Sequence, residues 1–291
     1  MKILLLGATG LLGSTLSQFL MFRGYDIETH GHSNEAAQHH ADIIDSREAN
    51  ILLSRIQADI IINLVGLTNI DICEKQPKQA YLANVKSVEN ITNWIKQENS
   101  ACHLVHISTD HVYDSPILHT EENIMLSNYY SFSKYAGELI AATVKSSILR
   151  TNFFGRSLNP KRESLTDWIY RTLSENNPIQ VFDDILFSPL SISTLSEMID
   201  LVIKNKPIGV FNLGSHDGMS KADFAFSFAN ELALPSKFMK RTTTDRVTFL
   251  KTYRAKDMRM NSTKFENALR INLPQLNDEI KKVAGEYDEI A

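Results

Sequence analysis

Cysteine is scarce. Cys73 and Cys102 are the only two in 291 residues, which excludes a disulfide framework and a thiolate zinc cluster. Both read as reduced, buried thiols. An excess of charge is lacking too. Thirty Lys and Arg face 34 Asp and Glu, a formal net charge of −4, so nothing in the electrostatics calls for nucleic acid or an acidic membrane. No apolar run approaches the roughly 20 residues that a spanning helix needs. The first such run, residues 3–6, follows a single Lys and ends in glycines, too short for a signal-peptide core. Internal repeats and low-complexity segments are absent. What remains is a chain of ordinary composition, 43% hydrophobic and 22% charged, long enough for one large domain or two interleaved ones. We expect a cytoplasmic protein.

The first half alternates between two periodicities. Residues 3–6, 26–30, 59–64, 103–108 and 147–150 read as strands; residues 11–22, 79–97 and 130–145 read as helices, the first closed by Gly24. Strands alternating with helices predict an α/β fold with a doubly wound parallel sheet. Ligands then bind at the C-terminal strand ends, where the strand order reverses. After Arg150 the rhythm loosens. Residues 152–162 read as a loop, 165–173 as a helix, 179–182 as a strand, 191–204 as a helix and 209–213 as a strand. Residues 220–232 read as a helix with Ser220 as N-cap, and 277–287 as a charged surface helix. We place a dinucleotide-binding domain at 1–152 with return elements at 188–214, and a smaller, interleaved substrate domain at 153–187 and 215–291.

Residues Gly7-Ala8-Thr9-Gly10-Leu11-Leu12-Gly13 follow the first strand and open the first helix. Glycines let backbone approach a pyrophosphate, and free N–H groups at a helix N-terminus point at its oxygens. The spacing is Gly-x-x-Gly-x-x-Gly rather than Gly-x-Gly-x-x-Gly. A tight turn with no ligand is the bland alternative.

Two further features fall at strand ends. Ser108-Thr109-Asp110 closes the strand at 103–108, and Tyr130-Ser131-Phe132-Ser133-Lys134 opens the helix after it. Tyr130 and Lys134, four apart, share one helix face. An ammonium beside a phenol favours the phenolate, which makes Tyr130 a usable acid or base. Thr109 offers a hydroxyl that can hold a carbonyl oxygen. Singly, Tyr-x-x-x-Lys is a common surface coincidence and Ser-Thr-Asp a common turn or cap. Their order along the chain and their placement at strand ends give them weight together.

These residues resemble the extended short-chain dehydrogenase/reductase superfamily, most closely its dTDP-4-dehydrorhamnose reductase branch. The resemblance runs through residues 7–13, 42–45, 59–71, Asn84, 108–113, 128–138, Arg150-Thr151, Ser188-Pro189, 209–213 and 254–264, nearly the whole chain. It implies a Rossmann-like domain and a reductase that passes hydride from NADPH, or NADH, to the keto carbon of a nucleotide-linked 6-deoxyhexose, for deoxysugar or polysaccharide biosynthesis. Thr109, Tyr130 and Lys134 would be catalytic. Gly7, Ala8, Thr9, Gly10, Leu11, Leu12 and Gly13 would line the pyrophosphate, and Asp42 and Ile43 the adenine. Val65, Gly66, Thr68 and Ser108 would lie along the cofactor, with Tyr130 and Lys134 at its nicotinamide end. Thr109, Asp110, Val112, Asn152 and Arg254 would face the substrate, and Asn84 would support the active-site helix. A homodimer through the helices at 79–97 and 130–145 is expected.

His111 stands where dehydratases of the superfamily carry Glu, and a serine-rich stretch typical of epimerases is missing. A simple reductase remains, with an epimerase or a dinucleotide-binding regulatory subunit as alternatives. Leu126, Ser131 and the apolar run at 185–187 depart from the branch pattern, which implies a rebuilt substrate pocket. Glu28 lies inside the second strand rather than at its tip, so no carboxylate guards the adenosine ribose. His32 and Ser33 can bond a 2′-phosphate, which favours NADPH. His30, His32, His39 and His40 lack a completing Cys or carboxylate pair, so we expect a solvated loop and no metal.

Overall fold

The computed structural model describes residues 1–32 and 36–288. Its elements run β1 (Lys2–Leu6), α1 (Leu11–Phe22), β2 (Asp26–Gly31), β3 (His39–His40), α2 (Ser46–Ile56), β4 (Ile60–Asn63), α3 (Ile70–Lys75), α4 (Pro77–Tyr81), a π turn (Leu82–Lys86), α5 (Ser87–Glu98), β5 (His103–Thr109), α6 (Tyr129–Ala141) and β6 (Ser146–Thr151). They continue β7 (Phe153–Phe154), α7 (Leu165–Ser174), β8 (Ile179–Phe182), β9 (Leu186–Phe187), β10 (Leu190–Ser191), α8 (Ile192–Asn205), β11 (Gly209–Leu213), β12 (Met219–Ser220), α9 (Lys221–Glu231), β13 (Met239–Thr242), α10 (Thr263–Leu269) and α11 (Leu276–Asp288).

The chain divides into two compact units. One comprises 1–109, 128–150 and 196–211; the other 110–127, 151–195 and 212–291. The expected bounds put 110–127 and 188–195 with the dinucleotide-binding part. Backbone pairing decides otherwise for 110–127. His119 exchanges backbone hydrogen bonds with Arg259 and Asn261, and Glu121 accepts from the Asn212 amide at 2.8 Å. Buried peptide groups need such partners, and here the second unit supplies them.

The first unit is built on a seven-stranded sheet in the order β11-β6-β5-β4-β1-β2-β3, with the pairs from β5 to β3 parallel. This is the doubly wound order. It reverses beside β1, which pairs with β2 on one side and β4 on the other. Leu4, Leu6, Ile61, Leu104 and Ile148 face α2 and α5, where Leu52, Leu53, Ile56, Ile91, Trp94 and Ile95 complete a core layer. The alternate residues Ile3, Leu5, Ile60, Ile62 and Val105 are equally buried on the other face, as the period of two requires. Asp45 caps α2, accepting from the amides of Arg47 and Glu48. That helix and the short strand β3 were not expected. The long helix expected at 79–97 is α4 and α5 joined through the π turn.

The second unit has its own core of Phe154, Phe187, Phe224, Phe228 and Tyr287, with Phe154 edge-on to Phe224 at 4.7 Å. Three short strand pairs, β7 with β10, β9 with β12 and β8 with β13, frame it. Ser220 caps α9 as expected, accepting from the Asp223 amide at 3.0 Å. The loop expected at 152–162 contains β7. The helix expected to lie on the surface, α11, instead buries Leu276, Ile280, Val283, Ala284 and Tyr287, a stripe at helical spacing.

Candidate active site

At the C-terminal end of β1 the glycine loop closes tightly. Gly7 has φ +83°, and the amides of Gly7 and Ala8 both donate to the His30 carbonyl at the end of β2. A Cβ on Gly13 would lie 2.3 Å from the Gly7 carbonyl oxygen, so only glycine lets α1 begin this close to the loop. Gly10 is the N-cap of α1 and no side chain caps the first turn. That leaves its leading amides, around Leu11, Leu12 and Gly13, for an anion. Thr9 packs against Gly31, where a Cβ would meet its methyl at 3.1 Å. Gly31 is a site-forming glycine that the sequence reading passes over.

The adenosine end is partly as expected. His32, with its side chain 71% exposed, stands 4.0 Å from Asp42. Glu28 is bonded to His39 at 2.7 Å, so its carboxylate is already engaged within the fold. Ile43 is buried in the core and its carbonyl accepts from Asn90, which leaves the half-buried Asp42 as the more accessible member of that pair. Ser33 lies outside the described residues. The histidine segment is not a solvated loop. His30 is buried, bonded to the Ala41 carbonyl, and desolvation holds its ring below the usual imidazole range; His39 and His40 form β3. Among the described residues no group of three or more His, Cys, Asp or Glu could hold a metal.

Thr109, Tyr130 and Lys134 all belong to the first unit, and all three are buried. Asn128 caps α6 in a reciprocal box with Ser131, so the serine that departs from the branch pattern fixes the helix start one residue from Tyr130. The Lys134 ammonium donates to the Ile107 carbonyl at 2.7 Å, two residues before Thr109. Burial pushes Lys134 down to about 8, with Glu138 opposing. Asn84, in the π turn, accepts from the Leu67 amide and donates to the Leu67 carbonyl and to Ser133. It thereby ties the loop after β4 to α6. Gly137 permits this approach, since a Cβ there would sit 2.3 Å from the Asn84 carbonyl oxygen. Gly66 borders Asn84 and Lys134. Val65 is half-buried with its amide on Asn63, and Thr68 is exposed.

Ser108 departs from its expected role. Its hydroxyl donates to the Glu138 carboxylate, which Arg150 holds through Nε at 3.0 Å and Nη2 at 2.6 Å. Its side chain is therefore spent inside the fold rather than on a cofactor.

In the second unit Asn152 donates to Asp110 at 2.8 Å. The charges of Lys221 and Arg254 both bear on His111, and with desolvation, the larger cause, they push its ring down to about 3. Asp110 bears on Lys221 in turn. Asp110, Asn152 and Arg254 thus share a polar neighbourhood with Lys221, which no sequence signal singled out. Val112 does not belong to it. It is fully buried with its carbonyl on the Met125 amide, so it packs the interior and offers no surface to a substrate.

A family model described as the RmlD substrate binding domain matches residues 1–289. The chain belongs to this family. The dTDP-4-dehydrorhamnose reductase of Salmonella typhimurium is 26% identical over 301 residues, covering 98% of each chain. The methionine adenosyltransferase 2 subunit beta of Mus musculus is 24% identical over 284 residues, covering 91% of this chain and 81% of that one. Among solved structures, dTDP-4-dehydrorhamnose reductase from Bacillus anthracis in complex with NADP superposes with a TM-score of 0.87 at 22% identity, covering 98% and 99%. The fold of this member of the RmlD family is therefore that of an extended short-chain dehydrogenase/reductase.

Sequence reasoning missed Glu138 and Lys221 as site-shaping residues. Glu138 had a signal available, since it lies one further turn along the Tyr130–Lys134 face of α6. Lys221 had none.

Proposed function

We propose that the chain is an NADPH-dependent reductase acting on the 4-keto group of a nucleotide-linked 6-deoxyhexose, in deoxysugar or polysaccharide biosynthesis. The observation that carries this reading is the Lys134 ammonium, buried one helical turn from Tyr130 and fastened to the strand that ends in Thr109. A surface Tyr-x-x-x-Lys coincidence has no cause to bury a cation at such cost.

The residues present fit a dinucleotide. Gly7 and Gly13 form a cradle that a Cβ would fill, and the uncapped first turn of α1 supplies amides for the pyrophosphate. Thr9 and Gly10 complete that loop. With Glu28 engaged by His39, His32 would border the ribose and Asp42 the adenine, which leaves the imidazole to meet a 2′-phosphate. Bound NADPH would supply the hydride. Tyr130 would give its proton to the carbonyl oxygen as that oxygen becomes a hydroxyl. Thr109 would donate a hydrogen bond to the same oxygen. Lys134 would stabilise the negative charge left on the Tyr130 oxygen and bond the nicotinamide ribose. Asp110, Asn152 and Arg254 would take the nucleotide-sugar. Phe132 and Leu139, seven apart on α6 and both more than half exposed, support the expected homodimer, which sedimentation at micromolar concentration tests.

The deciding experiment is NADPH oxidation with a dTDP-4-keto-6-deoxyhexose, native chain against Tyr130→Phe. Turnover that falls about 10²- to 10⁴-fold in the variant, with NADPH still bound, supports the reading. The likeness to a methionine adenosyltransferase subunit favours a second reading, a dinucleotide-binding partner without turnover of its own. No turnover with any keto-sugar, alongside intact NADPH binding, would favour that reading.

A further inference from the structure

Lys134 and Glu138, one and two turns along α6 from Tyr130, meet β5 at consecutive residues. Lys134 bonds the Ile107 carbonyl and Glu138 bonds the Ser108 hydroxyl, so the helix is stitched to the last residues before Thr109 at two successive points. Glu138 and Arg150 are each 2% exposed and joined by a two-pronged ion pair, Nε at 3.0 and 3.1 Å and Nη2 at 2.6 Å. A buried carboxylate that carries one guanidinium and one hydroxyl is fixed in place by both. We propose, on the reductase reading above, that Glu138 is a positioning residue: held by Arg150 and Ser108, it keeps Lys134 and Thr109 in register with Tyr130 and supplies the counter-charge for the Lys134 ammonium.

The surroundings of Lys134 leave few other candidates for that counter-charge among the described residues. From its own helix Tyr130 and Glu138 face it. From β5 comes His106, a fully buried imidazole held well below its usual range by desolvation and by Lys134 itself, hence neutral. From β6 comes Arg150, reached through Glu138. Gly66 and Asn84, from the loop after β4 and the π turn, carry no charge. On α3, Cys73 packs against Tyr130 with its thiol pushed up to about 11, and Glu74 bonds the Tyr129 amide. Among the described residues Glu138 is the charged group that favours the protonated form of Lys134, against the burial that disfavours it. Arg150 in turn keeps the carboxylate aimed. The pair therefore does more than hold β6 against α6.

The test reads Lys134 directly, so a wrong guess of substrate cannot mask the result. The chain is labelled with ¹³Cε lysine, and the Lys134 resonance is assigned as the one lost in Lys134→Arg. Native protein, Glu138→Gln and the charge-neutral pair Glu138→Gln with Arg150→Met are titrated. The double variant leaves no guanidinium buried without its carboxylate, so it keeps the experiment decisive if the single variant unfolds. We expect the midpoint, about 8 in the native chain, to move to lower pH in every folded variant lacking Glu138. With a turned-over substrate, the alkaline limb of kcat should move the same way with KM unchanged. Ser108→Ala removes no charge and should fold; it should lower kcat on the order of tenfold while NADPH affinity holds. An unmoved Lys134 midpoint without Glu138, or a native kcat in Ser108→Ala, would overturn the proposal and leave the ion pair a purely structural clamp.

Discussion

Gly13→Ala is the sharpest test of the phosphate loop. The added methyl would lie 2.3 Å from the Gly7 oxygen and 2.8 Å from both Cα and the carbonyl carbon of Ala8. All three are backbone atoms, so no side chain can swing aside. Restoring an ordinary carbon–oxygen contact of about 3.3 Å requires α1 and the loop to separate by roughly 1 Å, and overpacking of this kind costs about 1–3 kcal/mol. The loop cannot yield freely. Gly7 and Ala8 are tied to the His30 carbonyl at 3.1 and 2.9 Å, and the Gly10 amide to Gly7 at 3.0 Å. The shift must then displace the amides that would face the pyrophosphate. A loss of 10- to 100-fold in NADPH affinity corresponds to about 1.4–2.8 kcal/mol. Gly24→Ala is the control. Its φ of +81° strains an alanine, yet nothing lies within 4 Å of the new methyl. It should cost about 1 kcal/mol of stability and leave NADPH affinity untouched. Calorimetric titration with NADPH and thermal melts of both variants check this. Native NADPH affinity in Gly13→Ala would refute the assignment of this loop to the pyrophosphate.

Asn84→Ala leaves the Leu67 amide unpaired and its carbonyl with only the weak Cys73 thiol donor, and should cost about 1–3 kcal/mol in urea unfolding, with a loss of turnover in what remains folded. His32→Asp places a carboxylate at the end of β2 and should shift the ratio of kcat/KM values from NADPH toward NADH; an unchanged ratio would remove His32 from the cofactor site. Turnover should fall as pH rises through about 8, where Lys134 loses its proton. Stability has the opposite dependence on this group, because its folded pKa lies below the unfolded value: the buried charge is a cost that disappears between about 8 and 10.5. Acid should destabilise. His30, His103 and His106 are all depressed by burial, His103 to about 4, so the unfolded chain takes up protons below 6.5 that the folded chain refuses. The urea midpoint should drop between pH 7 and pH 5, above the range where most carboxylates titrate, and less so in His103→Gln; equal midpoints at the two pH values would contradict this.

Local signals determined much of this protein. Apolar runs specified β1 and β4 and the middle of β5, and an apolar repeat closed by Gly24 specified α1, because a strand buried on both faces must be largely apolar and a helix must repeat its apolar side. The glycine spacing and the four-residue interval from Tyr130 to Lys134 located the site, since both are properties of a backbone over a few residues. Tertiary structure decided the rest. The sequence could not show that 110–127 joins the second unit, because hydrogen bonds to Asn212, Arg259 and Asn261 set that membership across some 90 to 140 residues. Nor could it show that Ser108 turns inward, that Val112 is sealed from solvent, or that Ile43 is buried in the core. Composition gave α11 a charged face and hid its buried stripe. The π turn that places Asn84 has no sequence signature, and neither does the buried meeting of Glu138 with Arg150. Two charges can share an interior only once a helix and two strands have excluded water around them, and that exclusion is a property of the packed fold.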